Sequence, residues 1–343
     1  LGLLSLPGTY ASPDAVSDNL TRLEGDESLP SKIARISIEQ GDDLFAKVAS
    51  FTGRMFSVAE HLTFDLIHAH DWLTYPAGVL LRELTGKPLV AHIHATEFDR
   101  AGGPGNPWIH SIEYEGLQNA DAVIAVSNYT RRMVIDRYRV NPDKVFVVHN
   151  AHSMNVVGKR SADRRIFIDP VVLFMGRVTL QKGPDYFIEV ADRVLKKREK
   201  VHFIVAGTGD MLRKIIHLSA DKRTRTGILF TGFLNRKEVE RVLEISDILI
   251  MPSISEPFGI APLEAMAYGV IPIISRESGV AEVVENAYKV DFWDVKKMVE
   301  IILNLIDSPA LMREMSEKVA EEAKRIQWEK AAEKILQIYR GVI

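Results

Sequence analysis

Short β-branched and aliphatic runs alternate with amphipathic stretches along most of this chain, and the runs are apolar at nearly every position. VVLFM at 171–175, DILIMP at 247–252 and VIPIIS at 270–275 leave no alternating polar face. A sheet with one wet face would alternate; continuous runs belong to strands covered on both faces by helices, hence to parallel sheets of the α/β class. The first half predicts strands at Phe64–Ala69, Pro88–His94, Ala122–Val126 and Lys144–Val148, with helices between them at Tyr75–Leu84 and Asn128–Tyr138. From Pro170 the pattern restarts, with strands at Val171–Met175, Val201–Ala206, Gly227–Thr231, Ile248–Pro252 and Val270–Ile274. Two successive series in 343 residues predict two Rossmann-like domains facing each other across a cleft. Their expected limits are 1–160 and 165–325, joined near His152–Arg165, with a last amphipathic helix in 326–343 packing back onto the first domain.

Helix ends are legible too. Asn235 and Glu238 form a capping box ahead of VERVLEIS, and Pro184 opens a helix whose Phe187, Val190, Ala191, Val194 and Leu195 make one apolar stripe. Pro262 opens PLEAMAY and Gly269 closes it. Residues 11–45 carry eight acidic against three basic residues with several Ser and Pro, and read as a surface loop region.

Composition works by exclusion. Forty-three Lys and Arg against 46 Asp and Glu give a net charge of −3. Divided at residue 165, the chain has 17 basic and 20 acidic residues, then 26 of each. Neither part has the single-sign field that favours nucleic acid or an anionic membrane. With no cysteine, disulfides, thiolate metal sites and thiol nucleophiles are excluded. No apolar run is long enough to span a membrane, and Leu1–Pro7 lacks the basic flank of a signal peptide. The expected setting is cytoplasmic, with no integral membrane segment and no nucleic-acid partner.

Four segments carry residues suited to chemistry. In FMGRVTLQKGPDYF a buried strand ends at Gly176, Arg177 and Lys182 follow, and Gly183 precedes a helix. The carboxyl edge of a parallel sheet is where such folds bind ligands, and a helix N-terminus there attracts phosphate. Both cations would otherwise be plain exposed loop charges. In SEPFGIAPLEAMAYG, Glu256 follows a strand and Glu264 lies eight residues on, in the first turn of the next helix. Carboxylates accept hydrogen bonds from sugar hydroxyls, so two of them beside phosphate-binding cations suit a hydroxylated, phosphorylated ligand. Glu264 alone would also serve to complement a helix dipole. The doublets His68/His70 and His92/His94 end two strands, each pair on one face, and open the competing class of a metal-dependent hydrolase. VHFIVAGTGDML supplies Gly207 and Gly209, but Leu212 stands where a dinucleotide fingerprint needs glycine, which argues against a nicotinamide enzyme. No two Asp residues are separated by one residue, so a DxD metal–diphosphate motif is absent.

Together these motifs resemble the retaining glycosyltransferases of family 4, with the GT-B fold, over roughly residues 64 to 340. HAHDWL, IHATE, SIEYE and VSNYT look especially like the glycogen-synthase-like branch. The resemblance implies a donor diphosphate site at Gly176, Arg177 and Lys182, and the family's E-x7-E motif at Glu256 and Glu264, which in relatives contact the donor sugar and the ribose. It further implies nucleotide-site loops at Gly207, Gly209, Phe233 and Leu234, and donor contacts from Phe258, Gly259 and Ile260. His94 takes the position of a histidine set against the transferred sugar, while His70, Asp71 and Trp72 fall on the acceptor side. The implied activity is metal-independent transfer of a hexose, glucose by expectation, from UDP- or ADP-glucose to an α-1,4-glucan. Family members with a sugar-phosphate, lipid or small-glycoside acceptor share the donor motifs. No metal and no resident cofactor are expected. Relatives begin with a strand ending in a Gly-Gly loop, which Leu1–Tyr10 lacks.

Overall fold

The computed structural model describes Leu29, Lys32 and residues 43–153, 169–221 and 227–343. The expected joining segment beyond Ser153 and the segment Leu1–Tyr10 lie outside these residues. The described residues up to Val148, with Glu333–Ile343, form one compact unit, and His149–Ala332 form a second.

In the first unit β1 (Ile67–His70), β2 (Leu89–Ile93), β3 (Ala122–Ala125) and β4 (Val145–Val147) make a parallel sheet in chain order. Every residue of β2 and β3 is buried, as their unbroken apolar runs require. Helices α1 (Asp43–Ala59), α2 (Tyr75–Thr85), α3 (Glu97–Ala101), α4 (Pro107–Asn119) and α5 (Asn128–Tyr138) accompany the sheet. Tyr75, Leu89, Ile93, Ile112, Leu117, Val134 and Tyr138 belong to its core. The composition of 11–45 predicts a surface loop; most of that stretch lies outside the described residues, but Leu29 and Lys32 are helical and buried and α1 begins at Asp43. Phe45, Val48 and Thr52 repeat at helical spacing and are all buried, while Lys32 forms an ion pair with Glu115. An acidic, Ser-rich average conceals this local period.

The second unit holds a six-stranded parallel sheet of β5 (Val171–Met175), β6 (His202–Ala206), β7 (Ile228–Gly232), β8 (Ile248–Met251), β9 (Ile271–Ser275) and β10 (Tyr288–Val290). Their order is β10-β9-β8-β5-β6-β7. The chain winds outward from β5 to β7, returns to the other side of β5, and winds outward again. The strand order therefore reverses between β5 and β8, the topological switch point at which doubly wound sheets take their ligands. Around it run α6 (Pro184–Leu195), α7 (Leu212–Asp221), α8 (Arg236–Ile245), α9 (Ala261–Ala267), α10 (Val295–Asp307) and α11 (Pro309–Ala323). The final helix α12 (Trp328–Val342) begins in the second unit, and its residues from Glu333 group with the first. The capping box opens α8 in both directions: Glu238 N–H donates to Asn235 Oδ1, and Asn235 N–H donates to Glu238 Oε2. The α6 stripe enters the core, where Phe187 meets Phe174 and Phe203 with ring centroids 5.6 and 5.7 Å away. Among the described residues no helix is long and apolar enough to cross a membrane.

Candidate functional site

The switch point of the second sheet gathers most of the residues singled out above. Gly176 follows β5, and the loop it opens doubles against the one that leaves β6, with Val178 N–H donating to the Thr208 carbonyl at 2.8 Å. Gly209 follows in that second loop. Gly207 must be glycine: its φ is +143°, and a Cβ there would lie 1.9 Å from the Gly176 carbonyl oxygen. After a 3₁₀ turn over Leu180–Lys182, Gly183 adopts φ +62° with its Cα against the Pro252 carbonyl, where a Cβ would lie 2.2 Å away. That contact seats the N-terminus of α6 beside the end of β8.

The loops after β5 and β8 meet through charge. Lys182 Nζ forms an ion pair with Glu256 Oε2, and Ser253 Oγ donates to the same oxygen at 3.2 Å. Glu256 is only 5% exposed, so the pair is largely desolvated. Its Oε1 has no hydrogen-bond partner among the described residues. Arg177 is exposed and its guanidinium is likewise unpaired among them. Lys182 therefore departs from the reading of both cations as exposed loop charges: it is committed to a buried carboxylate. Thr179, between the two, has a buried hydroxyl without a partner among the described residues. Neither it nor Ser253 stands out in the chain, since an isolated hydroxyl has no spacing signature.

Glu264 lies in the first turn of α9, after Gly259 and the half-exposed Ile260. Burial raises its carboxyl above the usual range, while the Arg236 guanidinium, 3.9 Å away, acts in the opposite direction. Arg236 enters through the capping box that starts α8. Phe258 is buried rather than open, and its carbonyl accepts from Val280 N–H at 2.7 Å. It shapes the turn from within. Phe233 is 78% exposed beyond β7, and Leu234, next to it, is half-buried.

In the first unit, His70, Asp71 and His94 come together at the carboxyl ends of β1 and β2. His70 Nδ1 and His94 Nε2 share a hydrogen bond of 3.0 Å. Asp71, at φ +57°, accepts from His94 N–H at 2.8 Å and donates its own N–H to the His92 carbonyl at 2.9 Å. It thus fixes the backbone that carries His94. Trp72, expected on the acceptor side, is 6% exposed and packs against Phe45, with ring centroids 5.7 Å apart.

Glycine loops, cations and carboxylates thus gather at the switch point of a doubly wound parallel sheet, the place where such folds take their ligands. Residues 163–326 match the family described as "Glycosyl transferases group 1", and residues 24–154 match "Glycosyltransferase Family 4". An uncharacterized glycosyltransferase of Methanocaldococcus jannaschii is 29% identical over 295 residues, covering 81% of this chain and 75% of its own. An alpha-maltose-1-phosphate synthase of Mycolicibacterium smegmatis is 29% identical over 313 residues, covering 81% of this chain and 79% of its own. The crystal structure of Anabaena HepE in complex with UDP-glucose has a TM-score of 0.73 at 18% identity, covering 84% of this chain and 82% of that one. The chain belongs to the family 4 glycosyltransferases and has the GT-B fold.

Proposed function

We propose that this glycosyltransferase moves glucose from UDP- or ADP-glucose to an α-1,4-glucan, with retention of configuration and without a metal ion. The observation that carries the donor side is the Lys182–Glu256 pair, which joins the loops after β5 and β8 beside the unpaired Arg177. Arg177 and Lys182 bind the diphosphate. Glu256 keeps Oε1 for a sugar hydroxyl while Oε2 holds Lys182. Glu264 accepts from the ribose hydroxyls, and the exposed face of Phe233 lies along the nucleotide. Contact between His94 and the transferred sugar follows from the family pattern, with Asp71 as its positioning residue. In the reaction an acceptor hydroxyl attacks the anomeric carbon on the face that the diphosphate leaves. The bond from carbon to the phosphate oxygen breaks, and the hydroxyl proton passes to that oxygen. Negative charge grows on the departing diphosphate, so cations fixed there count most in the transition state.

The glucan acceptor rests on HAHDWL, IHATE, SIEYE and VSNYT. The similarity to an alpha-maltose-1-phosphate synthase favours a second reading, a sugar-phosphate acceptor. Incubation with UDP-, ADP- and GDP-glucose, each alone, with glycogen or with glucose 1-phosphate, separates these readings through the nucleoside diphosphate released. We expect turnover with one glucose donor, unaffected by excess chelator, and an α-linked product by NMR. Loss of activity in chelator that Mg²⁺ or Mn²⁺ restores would overturn metal independence, and a β-linked product would overturn retention.

A further inference from the structure

The two histidine doublets converge further than the donor chemistry requires. Parallel pairing sets His70 opposite His92, and alternation along each strand puts all four imidazoles on one face of the sheet. The rings form one stack. His68 and His70 have centroids 4.3 Å apart, His92 and His94 4.3 Å, His68 and His92 5.4 Å, and His70 and His94 5.3 Å. One nitrogen from each of His68, His70 and His92 lies within 4.8 Å of the other two.

Their hydrogen bonding is incomplete in a particular way. Among the described residues, both ring nitrogens of His92 and Nε2 of His68 are buried without a partner, and His92 is only 5% exposed. A buried polar group left unpaired forfeits its hydration with nothing in return, so three such nitrogens on neighbouring rings require a cause. The opposite nitrogens are engaged: His68 Nδ1 meets the Tyr339 hydroxyl, and His70 Nδ1 meets His94 Nε2. On His68 one nitrogen is held by a polar partner and the other is left bare, as on metal-binding histidines. The group of mutually close ligand atoms contains His68, His70 and His92 and no carboxylate, so the donor set is all nitrogen. Such a set suits Zn²⁺, Ni²⁺ or Cu²⁺ and not the oxygen-seeking Mg²⁺ or Ca²⁺.

We propose that His68, His70 and His92 form a three-histidine site for a divalent transition-metal ion, with the Tyr339 hydroxyl and His94 as its outer hydrogen-bond partners. The metal-independent transfer proposed above has no need of this ion. On the transferase reading above, an ion here puts positive charge one hydrogen bond from His94, and added Zn²⁺ lowers the transfer rate. Binding itself does not depend on that reading.

The test uses the full chain stripped with chelator and titrated with ZnCl₂ alone by calorimetry, with no nucleotide sugar present, and with CoCl₂ by visible absorption. We expect one ion per chain and the intense absorption bands of a low-coordinate Co²⁺ site. His92→Phe and His68→Phe each weaken Zn²⁺ binding at least about 100-fold, and Tyr339→Phe, which keeps all three ligands, weakens it about 10-fold. Absence of saturable binding, unchanged affinity in folded His68→Phe, or only the weak spectrum of Co²⁺ on surface histidines would overturn the site. Should the core variants fail to fold, the wild-type Co²⁺ spectrum and Tyr339→Phe still decide. Activity that requires the ion would refute metal-independent transfer while leaving the site intact.

Discussion

Single residues differ most in how their charge is housed. Arg177 is exposed and unpaired among the described residues, so Arg177→Ala should leave the melting temperature almost unchanged. Its kcat should fall about 100–1,000-fold, the loss of roughly 2.7–4 kcal/mol typical of removing one donor to developing negative charge. Lys182→Ala should show a similar kinetic loss together with instability, because it strands the buried Glu256 carboxylate. Breaking such a pair costs about 3–5 kcal/mol. Adding Glu256→Gln should recover the melting temperature but not the rate. If Lys182→Ala melts like the wild type, the pair contributes no stability. The chain marks both cations by the β5 strand end and the helix that follows. It cannot reveal that one is spoken for, because the Lys182–Glu256 contact spans 74 positions and depends on strand order. The packing of Trp72 is hidden for a related reason: HAHDWL marks a strand end, but the contact of the ring with Phe45 on α1 is long-range.

Elements are legible where burial leaves one interpretation. VVLFM is β5 residue for residue, and the other expected strands lie within a few positions of their runs, because strands covered on both faces tolerate no polar interruption. Tyr288–Val290 escapes notice in the chain: a three-residue edge strand containing Lys289 has no apolar run to find. The capping box of α8 is written in the sequence and present in the fold. Losing such a cap costs about 1 kcal/mol, so Asn235→Ala should lower the melting temperature accordingly. It should also raise KM for the donor, since Arg236, the first residue of α8, faces Glu264. A less readable tie joins α3, α4 and α5, where Glu113 receives hydrogen bonds from Arg100, Tyr138 and Glu97 N–H. Burial outweighs all three and raises Glu113 to about 7. The folded chain therefore binds a proton there between about pH 4.5 and 7 that the unfolded chain has released, and this group's contribution to stability declines as pH rises through that window. Glu113→Gln cannot titrate, so the stability difference between wild type and variant should shrink from about pH 5 to about pH 7.5. A difference that widens over this range would contradict the raised value.

At the scale of the whole molecule, the chain announces two βα series but not their winding, because adjacency in a sheet is a long-range property. Only the structure shows β8 returning to pair with β5, and that reversal turns three separate loops into one site. The second unit offers a rival for an anionic ligand: a cavity of about 310 Å³ beside β10, lined by Arg276, Lys289 and Lys297 among others. Its charges are more numerous, but Asp291 and Asp294 line it too, and Arg276 approaches Asp291 at 3.6 Å. The switch point instead combines an unpaired guanidinium, the N-terminus of α6 and loops that glycine keeps clear of side chains, so a nucleoside diphosphate should bind there. Hydrogen exchange distinguishes the two. UDP or ADP should slow amide exchange across 176–183, 207–209 and 256–264, where backbone N–H groups become covered, and leave 288–297 as it was. Arg177→Ala should weaken that protection at a given nucleotide concentration, whereas Lys289→Ala should not. Protection confined to 288–297 would move the donor site to the far edge of the sheet and remove the role proposed for Lys182 and Glu256.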